Sequence, residues 1–230
     1  MKHSVTLIAL ALALLACNAL APKPKAEWDT SPEALTVEAS VTGGLAPTNF
    51  TENYIPDARL WGDGRLVWVE QTSGGRRVLE AHLTTQEMTD LINSFASKGF
   101  FGLKDFYEPK VMVMDGANTT LTVNLSSLSK SVTISTGADA PKAFSELFAL
   151  VSGGAGATGA DFTPTTGYLK VYPTGNGAGQ ESYHWPKESL GFGLDEVGAG
   201  KYVDGEALAF AWQIVNEGYY TAVESGGKSY

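Results

Sequence analysis

Hydrophobic and polar positions alternate strongly from Leu35 onward, and the period changes several times along the chain. Leu35, Val37, Ala39 and Val41 alternate with polar partners, which predicts a strand. Ala58 to Trp61 and Arg65 to Glu70 flank Gly62-Asp63-Gly64, and Asp-Gly between apolar runs predicts a hairpin. With Asp63-Gly64 as a two-residue loop, Trp61 pairs with Leu66 and Arg59 with Trp68. One face then carries Arg59, Trp61, Leu66 and Trp68, and the other Leu60, Val67 and Val69. Both faces are apolar enough to be covered on both sides or partly exposed as an aromatic surface. A further strand runs from Arg76 to Leu83.

The period then becomes helical. Thr84-Thr85-Gln86-Glu87 has the form of a capping box, and Met88, Leu91, Ile92 and Phe95 make one apolar stripe closed by Lys98-Gly99. Thr119–Leu125 and Ser131–Ser135 predict two half-buried strands. Asp139 then caps a second helix with Pro141 in its first turn and Phe144, Leu147, Phe148 and Val151 inward. Strands, helix, strands, helix imply an α+β fold, a mainly antiparallel sheet with two packed helices over residues 35–152. Residues 153–167 are rich in Gly, Ala and Thr and predict a linker or long loop. Residues 168–230 predict a small C-terminal α+β segment. In it Tyr168–Tyr172 pairs with Ser182–Trp185, and Asp204 caps a helix burying Leu208, Ala211, Trp212 and Val215. A hairpin turns at Gly226-Gly227. At about 60 residues the segment is near the lower limit for folding alone, so it is expected to pack on the first unit or to be incomplete as given.

The N-terminus has another pattern. Met1-Lys2-His3 is positive, Val5 to Ala16 is almost wholly apolar, and Cys17, the only cysteine, follows at once. The apolar run is too short to span a bilayer, which needs about 20 residues, and has the form of a secretory signal. Leu14, Ala16 and Cys17 resemble the lipobox of bacterial lipoproteins. That resemblance implies a signal peptide over 1–16, acylation (such as palmitate) of Cys17, and a flexible tether over 17–34. It also implies a lipid anchor on the outer face of the cell membrane or, since Asn18 and not Asp follows the cysteine, in the outer membrane. Ala19-Leu20-Ala21 also fits ordinary cleavage, which would release a chain starting at Pro22. The cysteine-free remainder favours the lipid reading. Trp28, inside the tether, reads as a docking or chance residue rather than a ligand site.

A weaker resemblance covers Asp57 to Val151, carried by DGRLVWV, LTTQEMTDLINSFASKGFFGLKDFY, MDGANTTLTVNL, SKSVTI and APKAFSELFALV. These stretches look like domains of unknown function found in bacterial lipoproteins. The stretch from WPKESLGFG to the final tyrosine resembles C-terminal regions of similar exported proteins, which continue through one more strand. The resemblance implies no activity and no catalytic residues.

The chain carries a net charge of −9, and loss of residues 1–16 removes Lys2 and leaves −10. So acidic a chain makes a poor nucleic-acid partner and a poor electrostatic ligand for anionic lipid, so the membrane partner is reached through the acyl chains. Beyond Cys17 there is no thiol for disulfides, thiolate metal sites or nucleophilic catalysis. His82 and His184 stand far apart, each an ordinary surface or core histidine. No H-E-x-x-H or G-x-S-x-G motif occurs, and no metal, cofactor or catalytic residue is assigned. Gly175–Gly179 lacks the Lys and Ser/Thr of a phosphate loop. Asp57, Asp63, Asp105, Glu108 and Asp115 lack calcium-loop spacing and read as turn chemistry. The aromatics Trp61 and Trp68, with Tyr54, Tyr172 and Trp185, remain as a candidate binding surface, against core packing. The first expectation is a non-catalytic, lipid-anchored extracytoplasmic module that binds an envelope protein or polymer. The alternatives are a cell-envelope hydrolase using a carboxylate pair and a structural envelope protein.

Overall fold

The computed structural model describes residues 26–45, 51–172, 183–217 and 222–230. The fold is α+β. Strands β1 (Leu35–Gly43), β2 (Ala58–Trp61), β3 (Arg65–Thr72), β4 (Gly75–His82), β5 (Phe106–Tyr107), β6 (Ala117–Leu125), β7 (Leu128–Ser135) and β8 (Ala160–Asp161) form one sheet. Its order is β5-β7-β6-β1-β2-β3-β4-β8, and every pairing is antiparallel except β5 with β7. Helices α1 (Thr85–Ser97) and α2 (Lys142–Ser152) supply the rest of the core.

The registers place Val132, Leu121, Ala39, Ala58, Trp68 and Leu79 in one row across the sheet. All six belong to the buried cluster that also contains Met88, Ile92 and Phe95 of α1 and Phe144, Leu147 and Val151 of α2. The adjacent row, Ser131, Thr122, Glu38, Arg59, Val67 and Glu80, projects to the opposite face, as the two-residue period requires. That face is held by polar pairs: Arg59 with Glu38 at 2.7 Å, Arg65 with Glu80 at 2.6 Å and Thr120 with Thr133 at 3.0 Å.

The capping box of α1 is present: Glu87 N donates to Thr84 Oγ1 at 3.2 Å, and Thr84 N donates to Glu87 Oε2 at 2.7 Å. Helix α2 begins later than the Asp139 cap predicts. Its N-cap is Pro141, with no side-chain cap, and its first turn is closed by Ser145 N donating to the Pro141 carbonyl.

The hairpin register also differs from the sequence expectation. Leu60 pairs with Leu66 and Ala58 with Trp68, while Gly64 N bonds the Trp61 carbonyl. The loop is therefore Gly62-Asp63-Gly64, with Gly64 alone at positive φ (93°). A two-residue primed turn would need positive φ at Asp63 as well. The shift of one residue moves Trp68 to the helix-covered face, away from Trp61.

Residues 153–167 are not a free linker. A 3₁₀ turn at Gly154–Gly156 leads to β8, which extends the sheet beyond β4. Gly154 and Gly159 lie so close to Trp68 that a Cβ at either would meet its ring at 2.7 and 2.3 Å. The glycines serve close packing here.

The C-terminal segment has its own core around Trp185, Phe192, Leu194, Val197, Val203 and Leu208. It is built from β9 (Gly167–Leu169), β10 (Tyr183–His184), α3 (Lys187–Leu190), β11 (Lys201–Val203), α4 (Gly205–Glu217), β12 (Val223–Ser225) and β13 (Lys228–Ser229). Contrary to the expected pairing, β9 joins β11 antiparallel and β10 joins β12 in parallel. The predicted hairpin at Gly226-Gly227 is present as β12–β13. The segment packs on the first unit through α4. Arg76 Nε donates to Asn216 Oδ1 at 2.6 Å, and Trp212 Nε1 donates to the Phe162 carbonyl at 3.0 Å. Because α4 faces two neighbours, its buried residues are Leu208, Ile214 and Asn216 rather than one stripe through Ala211 and Val215.

Candidate functional site

The two ends of the large sheet differ in chemistry. At one end the incoming chain is docked. Trp28 Nε1 donates to the Gly62 carbonyl at 2.9 Å, and Ser126 N donates to the Glu27 carbonyl at 2.8 Å. Trp28 also packs on the core, so from residue 26 the expected tether is already part of the body. Cys17 and the signal segment lie outside the described residues.

The other end holds the loops after β1 and before β6. Here Val111, Met112, Val113 and Met114 are 78, 87, 45 and 85% exposed, and Leu45 is 88% exposed. Four consecutive large apolar residues in water are unfavourable unless something covers them. The loop is held from both sides. Upstream, β5 pairs with β7 through Phe106–Thr133 and Tyr107–Ile134, and Lys130 is ion-paired with Asp105. Downstream, Asp115 turns the chain with φ 56°, and Val113 and Pro109 close over Gly137. Between the loop and the exit of β7 is a depression of about 510 Å³, lined by Tyr107, Lys110, Val111, Val113, Gly137 and Asp139 among others.

The structure separates the two tryptophans of the candidate surface. Trp68 is 2% exposed, inside the core, and does not belong to any surface. Trp61 lies on the opposite face, half-buried, with the Arg65 guanidinium 4.5 Å from its ring centroid. Trp185 is core of the C-terminal segment and donates to the Phe192 carbonyl at 2.8 Å. Tyr172 is exposed and donates to Glu52 at 3.0 Å. These aromatics are not gathered into one surface.

His82 is exposed on β4, and His184 Nδ1 lies 2.7 Å from Glu224, which is held below the usual carboxylate range by that contact. Asp63 accepts the Arg65 amide at 3.0 Å as a turn residue. Gly175–Gly179 lie outside the described residues. Asp57 differs from the other acids. Burial pushes its carboxyl above the ordinary value, and it stands beside Tyr54, whose phenol is raised by burial and then by Asp57. Asp57 does not line the loop depression. Among the described residues no three His, Cys, Asp or Glu side chains converge as a metal site, and no helix is long and apolar enough to cross a membrane.

The exposed loop was readable as Val-Met-Val-Met between Lys110 and Asp115, a run longer than a turn needs. It escapes a search for motifs because it contains no chemically reactive residue. Comparison with family models, with curated proteins and with solved structures gives no match, so no residue role is transferred and the candidate site rests on this chain's own geometry.

Proposed function

We propose that the protein is a lipid-anchored extracytoplasmic interaction module that presents the Val111–Met114 loop to a protein partner. In this reading Cys17 carries the acyl chains and residues 17–25 connect them to the docked segment at residue 26. The observation that carries the reading is the exposed apolar loop at the sheet end opposite that docking point.

The strand β6 runs from the loop end to the tether end over nine residues, about 27 Å. Residues 17–25 number nine and reach at most about 30 Å when fully extended. With its tether end toward the bilayer the body presents the loop outward, and only a nearly straight tether lets the body invert so that the loop meets the bilayer end-on. The net charge adds a second argument, since a body at −10 is repelled by anionic headgroups. The chemistry of the loop adds a third. Methionine is flexible and polarisable and suits an apolar groove on another protein, whereas Trp and Tyr, the residues of a membrane interface, are absent from the tip.

Site-specific photo-crosslinking from position 112 in intact cells tests this. The expected product is one protein adduct of defined mass, lost in the variant carrying Met114→Asp. Adducts to lipid alone, or a pattern equal to that from position 127 at the opposite end, would refute it.

A further inference from the structure

The C-terminal segment carries a second depression, remote in sequence from the loop, and we propose that it is a binding subsite for a neutral saccharide. It has a volume of about 260 Å³ and lies between β11, α3 and the start of α4, with Ser189, Phe192, Lys201, Tyr202, Asp204 and Glu206 among its walls.

One wall is an aromatic platform made by two neighbouring tyrosines. Tyr168 and Tyr202 are register partners in the β9–β11 pair, and their rings meet edge to face with centroids 4.9 Å apart. Tyr168 is pressed against the backbone of Gly200, where φ is +142° and an added Cβ would lie 2.4 Å from the tyrosine Oη. Any side chain at 200 would displace the ring. Tyr202, held against Tyr168, is 80% exposed. A large ring backed by a neighbouring ring yet open to water offers contact area at reduced entropic cost.

The polar groups around this platform select the ligand class. Asp204 and Glu206 are exposed, and no hydrogen bond or ion pair engages either carboxylate among the described residues. They offer acceptors to hydroxyl groups and oppose an anion. Lys201 opposes a cation. Its ammonium is seated 3.8 Å from the Phe192 ring centroid, leaving hydrogen-bonding capacity toward the depression. The two tyrosine rings touch, so they leave no cage between them for a quaternary ammonium group. An apolar ligand would leave the carboxylates and the ammonium poorly solvated. A sugar satisfies all of these groups. The C–H face of the ring packs on Tyr202, its hydroxyls donate to Asp204 and Glu206, and a ring or hydroxyl oxygen accepts from Lys201. The volume lies below the roughly 300–1,000 Å³ of drug-sized sites, which fits one ring in the depression with the next running out over Tyr168.

The test uses the mature chain and three neutral tetrasaccharides as probes: cellotetraose, maltotetraose and the tetramer of N-acetylglucosamine. Binding is followed by NMR shift changes. At least one probe is expected to bind with shifts centred on Tyr168 and Tyr202. Tyr202→Ala should weaken it about tenfold or more, the effect of losing an aromatic anchor, while Tyr202→Phe retains it. Because Tyr202 is exposed, an unchanged circular dichroism spectrum is expected for both variants. The proposal is overturned if no neutral probe binds, if Tyr202→Ala binds as well as wild type, or if the de-acetylated cationic tetramer binds more tightly than every neutral one.

Discussion

The two tryptophans flanking the Gly62–Gly64 turn should respond in opposite ways to truncation. Trp68 is 2% exposed and touches the Gly154 and Gly159 backbones and Leu79. Removing a buried Trp side chain typically costs about 3–5 kcal/mol. Here its indole N–H is buried without a partner among the described residues, a group whose desolvation costs about 1–3 kcal/mol, and truncation relieves that cost. Trp68→Ala should therefore fall near the lower limit, about 3 kcal/mol. Trp68→Phe keeps part of the ring and loses the unpaired donor, so it should cost about 1 kcal/mol or less. Trp61 is half-buried, its main contact the Arg65 guanidinium, and a partly exposed cation–π pair contributes about 0.5–1 kcal/mol. Trp61→Ala should cost about 1 kcal/mol. Urea unfolding of the mature chain, with unchanged m-values, reads these differences directly. If Trp68→Ala lay within about 1 kcal/mol of wild type while Trp61→Ala cost about 3 kcal/mol or more, the hairpin register and the placement of both rings would be wrong.

Other consequences concern packing, ionisation and anchoring. Gly159→Ala places a Cβ 2.3 Å from Trp68 and should cost about 1–3 kcal/mol by overpacking, read in the same assay. Asp57 has its folded-state pKa raised above the ordinary 3.8 by burial, so it destabilises the fold when ionised. Stability should decline as pH rises from that ordinary value through the raised one, and Asp57→Asn should flatten this part of the pH–stability profile. An unchanged profile would remove the account of that site. Cys17→Ser should move the protein from the membrane fraction to the soluble exported fraction and abolish incorporation of labelled fatty acid. A wild-type product that begins at Pro22 and takes up no label would contradict the lipid anchor.

The sequence exposes what local chemistry decides. The Thr84–Glu87 box and the Met88, Leu91, Ile92, Phe95 stripe specify α1 without help from the rest of the chain. The hairpin is visible too, but its register is not. The dipeptide Asp63-Gly64 serves a two-residue loop and a three-residue loop equally well. The choice is made by Gly62, whose Cβ position lies 1.8 Å from the Asp29 carbonyl oxygen. That contact spans 33 residues and leaves no local pattern. The glycines of 153–167 mislead for a related reason. Glycine marks both free chain and close backbone approach, and only the Trp68 ring against Gly159 tells them apart. Helix α4 departs from a single stripe because it faces both its own core and β4. The Val111–Met114 run escapes a search for reactive residues because its signal is an apolar surface that the described residues leave open. Tyr168 and Tyr202 come together only through the β9–β11 pairing, 34 positions apart in sequence.

If a partner covers the Val111–Met114 loop where the protein works, the loop is less accessible in the cell than in the purified protein. Because Cys17 is the only cysteine, Met112→Cys gives a single thiol in the body of the protein. Its labelling by a membrane-impermeant maleimide can be compared in the purified protein and on cells whose envelope admits the reagent, with Ser127→Cys at the opposite end of the sheet as reference. Rapid labelling is expected at both positions in the purified protein, with protection at 112 but not at 127 in cells. Equal labelling of the two positions in both settings would contradict it.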